Sequence, residues 1–259
     1  MARIVTSLLL LCTLVSAVCS AEQESRDRPM LAVEDSWPPY ADENGLGYAT
    51  SVVVAAYRAV GIEPEIHVQP YARVLKATED GRVDGGYNVT RQATTEAVYY
   101  FAEQPILVAS ASFFTLPGDD RKFGSIEDVP DGFSIGLIKD YEYGDQYEKH
   151  RHRFREVRVN TQKQLIQMLL SGRIEAVILF DEVANFNLEQ MGLQQNSLQA
   201  RFVNHVSDIY VAFNKSDRVA HHWARELNRG LKLIIEQGIY NQIFDGSLVP
   251  DYQPIRPQP

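Results

Sequence analysis

Cysteine is nearly absent. The 259-residue chain holds two, Cys12 and Cys19, and both fall within residues 1–21. If that segment is removed on export, no disulfide framework and no thiol nucleophile remain. Positive charge is scarce too: 25 Lys and Arg stand against 34 Asp and Glu, a formal net charge of −9, which leaves nucleic acid or an anionic membrane no electrostatic footprint. Beyond the first residues no run is long and apolar enough to span a bilayer. The one basic cluster, Lys149 to Arg153 with Arg155 and Arg158, reads as a solvated face. His150 and His152 have no Cys or third ligand nearby, so no zinc site is expected. A Ser-His-Asp set, a metal box and a phosphate loop are also missing, and His205, His221 and His222 read as surface or core residues.

The N-terminus carries an address. Arg3 precedes a largely apolar run from Ile4 to Val18, and the small residues Ser20 and Ala21 follow, so residues 1–21 read as a signal peptide cleaved after Ala21. Val18 stands where a lipidated Cys19 would want a small neighbour. A soluble periplasmic product is therefore expected ahead of a lipoprotein.

The rest of the chain reads as alternating helices and strands. Thr161 is placed to cap a helix in which Leu165, Met168 and Leu169 recur on one face. Gly172 suits the left-handed turn that ends it. Ala176 to Phe180 is then an uninterrupted apolar run, short enough for a strand buried on both faces, and it stops at Asp181. In an open parallel sheet ligands sit beyond the carboxyl ends of the strands, which puts Asp181 where a ligand would be met. The device has an earlier echo: a helix from Arg73, Gly81-Arg82-Val83-Asp84, then Gly85-Gly86-Tyr87 leading into Asn88-Val89-Thr90, read as polar loop residues. Met30 to Val33 is a first strand ending at Glu34. Pro38 and Pro39 should hold the backbone extended. Residues 91–96 read as a polar connection, Phe202-Val203 and Ile209 to Phe213 frame a crossing, and the Pro-rich tail from Pro250 should be poorly ordered.

Taken in order, several of these segments resemble the extracellular family 3 of solute-binding proteins, the polar amino-acid-binding components of bacterial ABC transporters. Trp37-Pro38-Pro39-Tyr40 with Asn44-Gly45, Asp84-Gly85-Gly86 with Asn88-Val89-Thr90, and Phe101 with Pro105 carry the first half. Gly172 to Val177 with Asp181, and Tyr210-x-Ala212-Phe213-x-Lys215, carry the second. The likeness covers about residues 29–247. It implies an α/β, two-lobed type II periplasmic-binding-protein fold, each lobe a mostly parallel sheet flanked by helices, joined by two hinge crossings. Lobe 1 would comprise 29–112 plus 210–248, lobe 2 would comprise 113–209, and 249–259 would be a flexible tail. It also implies a monomer that captures a small polar solute between the lobes and delivers it to the membrane permease of an ABC transporter, without cofactor, metal or catalytic residue.

Carried over position by position, Trp37 matches an aromatic that packs on the ligand, Asn88 and Thr90 a segment that bonds a carboxylate, Asp181 an acid that pairs with an ammonium, and Tyr141 a second-lobe contact. The plain structural alternatives are a core position for Trp37, helix capping for Asn88 and Thr90, and an N-cap for Asp181. The arginine that clamps a ligand carboxylate in the family is replaced by Thr95. Arg91 or Arg73 could substitute, or the ligand lacks an α-carboxylate. Two alternatives remain: a periplasmic enzyme on the same scaffold, like the cyclohexadienyl dehydratases, with Glu142 or Asp181 as acid or base, and a ligand-sensing partner of a membrane receptor.

Overall fold

The computed structural model describes residues 27–255. The signal-peptide segment and residues 256–259 lie outside them. Among the described residues one continuous curled sheet runs through the molecule. Its strands are β1 (Met30–Glu34), β2 (Glu65–Gln69), β3 (Gly85–Thr90), β4 (Tyr99–Phe101), β5 (Leu107–Thr115), β6 (Ser134–Ile138), β7 (Arg155–Val159), β8 (Ala176–Phe180) and β9 (Gln199–Asn214). The order is β2-β1-β3-β9-β5-β8-β6-β7, with β4 also paired to β9. β1 is parallel to β2 and β3, and β6 is parallel to β7 and β8. Two parallel half-sheets are thus joined through an antiparallel ribbon of β5 and β9, paired from Leu107↔Ile209 to Thr115↔Gln199.

The helices follow the expected pattern where apolar residues are periodic. They are α1 (Tyr48–Ala59), α2 (Tyr71–Glu79), α3 (Ala93–Val98), α4 (Gly144–His150), α5 (Gln162–Leu170), α6 (Asp181–Gln190), α7 (Arg218–Glu236) and α8 (Ile239–Phe244). Thr161 caps α5, its hydroxyl accepting from the Gln164 N–H at 3.3 Å, and Gly172 takes φ 69° just past the end of that helix. α7 lies against α1 so closely that a Cβ on Gly230 would meet the Ala56 carbonyl oxygen at 1.9 Å. Only glycine allows that approach.

Several expectations change. Asn88 to Thr90 belong to β3, not to a loop: Val89 and Thr90 pair with Tyr210 and Ile209, and Asn88 bulges from the ladder at φ 70°. Residues 93–98 form a helix because Thr95 caps it from within; its hydroxyl accepts from the Gln92 N–H at 3.0 Å and donates to the Thr90 carbonyl at 2.8 Å. Trp37 to Tyr40 is a turn with a cis Pro38–Pro39 bond rather than an extended run, and Trp37 N–H donates to Ala41 O at 2.8 Å. The two pieces around 202 and 209–213 are one sixteen-residue strand. The tail is held as far as Ile255, which exchanges backbone bonds with Ile66 and Val68 at 2.7 and 2.8 Å. Tyr252 Oη adds a bond to Pro64 O at 2.9 Å. β2 is a sheet edge, and its unpaired backbone groups give the tail somewhere to dock.

Candidate functional site

The carboxyl ends of β1, β3, β6 and β8 meet where the two half-sheets face each other, the position at which an open α/β sheet offers its crevice. β1 ends on Glu34, β3 ends near Asn88, β6 leads into Tyr141 and Glu142, and β8 leads into Asp181. The crevice is closed by two reciprocal hydrogen bonds. Tyr141, after β6, donates its hydroxyl to the Glu34 carboxylate at the end of β1. Tyr71, the first residue of α2, donates to Glu142 Oε2 at 2.7 Å. Each half supplies one phenol and one carboxyl group. The two tyrosine rings meet edge to face with centroids 5.0 Å apart, and Gln162 Nε2 reaches the Tyr141 oxygen at 3.4 Å.

Burial dominates the electrostatics here. Glu34 is 1% exposed, and loss of hydration pushes its carboxyl up to about 8 from an ordinary 4.5; the Tyr141 bond opposes this, while negative charge on Glu142 and Asp35 adds to it. Glu142 rises to about 7, again chiefly by burial, with the Tyr71 bond opposing. Burial thus favours the protonated form of both acids, and negative charge on Glu142 adds to the effect on Glu34. Both phenols are raised well above 10, by burial and then by the carboxylate each one touches, so they remain donors.

Aromatic groups wall the site. Trp37 is 1% exposed, lies tilted at 32° against Tyr40 with centroids 4.3 Å apart, and meets Phe180 edge-on at 5.0 Å across the crevice. Its Nε1 is buried without a hydrogen-bond partner. His205 also faces Phe180, and burial pushes it down to about 4, which keeps the ring neutral. Trp37, Tyr141, Gln162, Phe180 and His205 enclose a cavity of about 10 Å³, room for about one water. That volume is too small for a solute of several heavy atoms. Beside it a cleft of about 330 Å³ opens between Thr90-Arg91-Gln92 and Gly144-Asp145, bridged by Gly144 N–H to Gln92 Oε1 at 3.3 Å.

The residues singled out from sequence divide accordingly. Trp37, Asn88 and Tyr141 lie at the closed crevice, and Asp181 is the half-buried first residue of α6, with Phe180 rather than itself in the cap position. Thr90 and Arg91 line the outer cleft. Arg91 is 43% exposed, donates to Glu96 at 2.6 Å and lies over the Phe101 and Tyr210 rings. Arg73 is exposed on α2. Neither arginine enters the buried cluster. Thr95, expected to stand in place of a clamping arginine, is consumed in capping α3. Glu34 and Tyr71 were the residues sequence reasoning missed. One signal was available, since Glu34 ends the first strand as Asp181 follows the eighth.

No protein-family model and no curated protein sequence matches the chain. Solved structures do. An ancestral arginine-binding protein bound to arginine superposes with a TM-score of 0.72 at 19% identity, over 86% of this chain and 99% of that one. The fold is that of the two-lobed periplasmic binding proteins. A histidine kinase sensor domain described as similar to periplasmic binding proteins matches at 0.72 and 16% identity, over 87% of this chain and 98% of its own. The ancestral amino acid-binding protein AncCDT-1, described as a precursor of cyclohexadienyl dehydratase, matches at 0.68 and 15%, over 85% and 95%. Among the described residues no helix is long and apolar enough to cross a membrane.

Proposed function

We propose that this protein is an exported solute-binding protein that closes its two lobes on a small polar solute and presents it to the permease of an ABC transporter. The lobes would be residues 29–112 with 210–248 and residues 113–209, hinged on the β5–β9 ribbon. The observation that carries the reading is the reciprocal pair Tyr141–Glu34 and Tyr71–Glu142. Polar side chains from both halves converge on one largely enclosed point, and carboxyl groups shielded from water are tolerated only where something meets their hydrogen-bonding demand. Separable lobes closing around a solute are a known hinge device. Trp37, Asn88 and Tyr141, with Asp181 at the rim, would line the site, and the structural neighbours that bind amino acids support the solute's size and polarity.

The test is a thermal-shift panel of amino acids, amines, organic acids and small peptides on the chain from Glu22 onward. A solute at about a hundred times its Kd adds about 2.7 kcal/mol, which raises the midpoint of a domain this size by roughly 5–10 °C. A panel without any shift contradicts the reading.

One observation favours a second reading. A carboxyl group near 7 in a closed site is what general acid–base catalysis needs, and Glu142 is such a group. A dehydratase-like enzyme would convert the bound solute, so proton NMR of a stabilising solute held with the protein overnight separates the two readings: unchanged resonances mean binding, new ones mean turnover.

A further inference from the structure

Among the described residues the crevice holds two acids, Glu34 buried and Glu142 half-buried, and the charges that act most strongly on them are negative. The charges acting most strongly on Glu34 are Glu142 and Asp35, and those on Glu142 are Glu148 and Asp140, all acidic. The basic groups nearby in the chain are occupied or turned away: Arg91 is paired with Glu96, Arg158 with Glu156, and Arg73 is exposed. The His205 ring is neutral. Such an arrangement disfavours a ligand carboxylate, which would bring a third negative charge into a buried site.

A second observation points to a ligand. Asn88 is 6% exposed, and neither its Nδ2 nor its Oδ1 has a hydrogen-bond partner. Its amide lies beside the Glu34 carboxyl group, which it helps to keep from rising further. A bulge at φ 70° is what turns this one side chain of β3 toward the crevice end. Its Oδ1 has no partner within the chain, and a buried amide left short in this way calls for one that the chain does not provide. Trp37, Tyr71 and Tyr141 add ring faces of the kind that attract cations.

We propose that the solute is an organic cation without a carboxylate, a protonated primary amine or diamine, held by Glu34, Glu142 and Asn88 between the aromatic walls. The proposal rests on the solute-binding reading above and adds the charge of the ligand to it. Opening breaks the two tyrosine–carboxylate bonds; closing on an ammonium group exchanges a proton on the acids for the ligand's charge.

Calorimetric titration tests this with matched compounds: 1,4-diaminobutane, butylamine, 4-aminobutanoate, butanoate and L-glutamate, at pH 7.5 in phosphate and in Tris. The amines are expected to bind with release of protons, seen as a buffer-dependent heat. Diamine affinity should rise roughly tenfold per pH unit for each proton released between pH 6 and 7. Glu34→Gln and Glu142→Gln should each weaken the diamine at least about tenfold, as expected for loss of a buried charge partner. Asn88→Ala, which leaves both acids in place, should weaken it with proton release retained. Circular dichroism confirms that the variants fold. Equal or tighter binding of 4-aminobutanoate or glutamate overturns the charge assignment and leaves the solute-binding reading standing. Amine binding without proton release overturns the role of the two acids. Silence of every compound here and in the thermal-shift panel overturns both readings.

Discussion

Glu34→Gln should change the sign of a stability effect with pH. In the folded chain Glu34 keeps its proton up to about 8, against an ordinary 4.5 when unfolded. The native state therefore binds more protons than the unfolded state across this window, and stability falls as pH rises through it. A gap of this size corresponds to on the order of 5 kcal/mol of preference for the neutral acid, of which about 3–4 kcal/mol would be lost between pH 5 and pH 8. That figure is an upper bound, because parting the lobes rehydrates the carboxylate and limits the cost. Glutamine keeps the shape and cannot ionise. At pH 5 the variant should match the native chain or fall slightly below it, through the altered bond from Tyr141. At pH 8 it should exceed it, by up to roughly 10 °C in midpoint at about 2–4 °C per kcal/mol. Glu142, raised to about 7, leaves a residual slope that the double variant Glu34→Gln/Glu142→Gln should flatten. Thermal unfolding by circular dichroism from pH 5 to 8.5 reads all three. Parallel curves for native and variant, or native stability that climbs with pH in this range, would refute the burial argument.

Three further outcomes follow from the geometry. Tyr71→Phe and Tyr141→Phe each remove one bond across the crevice and should cost about 1–3 kcal/mol in urea unfolding, with coupling to Glu142→Gln and Glu34→Gln respectively in double-mutant cycles. Gly230→Ala places a methyl group 1.9 Å from the Ala56 carbonyl oxygen and should destabilise by about 3 kcal/mol as α7 is pushed off α1, visible as a lower midpoint with an unchanged crevice. Ending the chain at Pro250 removes the Ile255 and Tyr252 bonds, so the Ile66 and Val68 amides should lose protection in hydrogen exchange while core strands keep theirs.

How far the sequence carried the fold depends on whether its signals were local. The α5–β8 unit was legible to the residue, because Thr161, the 165–168–169 face, Gly172 and the run 176–180 are each decided by near neighbours. α3 was not, since its cap is Gln92 acting with Thr95 rather than one of the usual N-cap residues, and its only buried side chain is Thr95. α4 buries Tyr147 alone and so shows no periodicity. β9 reads as two pieces because its alternation lapses between Phe202 and Ile209, where register shifts opposite Ala111–Ser112 let it cross between halves. In the site, Trp37, Asn88 and Tyr141 were visible as candidates. The partnership of Glu34 with Tyr141 spans 107 residues and that of Tyr71 with Glu142 spans 71, and no local pattern announces either.

The measurement that bears most directly on the account is small-angle X-ray scattering at pH 8.5, with and without the solute that gives the largest rise in midpoint. At that pH ionisation of Glu34 and Glu142 is favoured, and their charge opposes closure unless the lobes close on something that balances it. The account predicts an expanded radius of gyration without solute and a contraction to the closed dimensions once it is added. A radius that is the same in both conditions, with the solute shown to be bound, would contradict closure of the lobes around it.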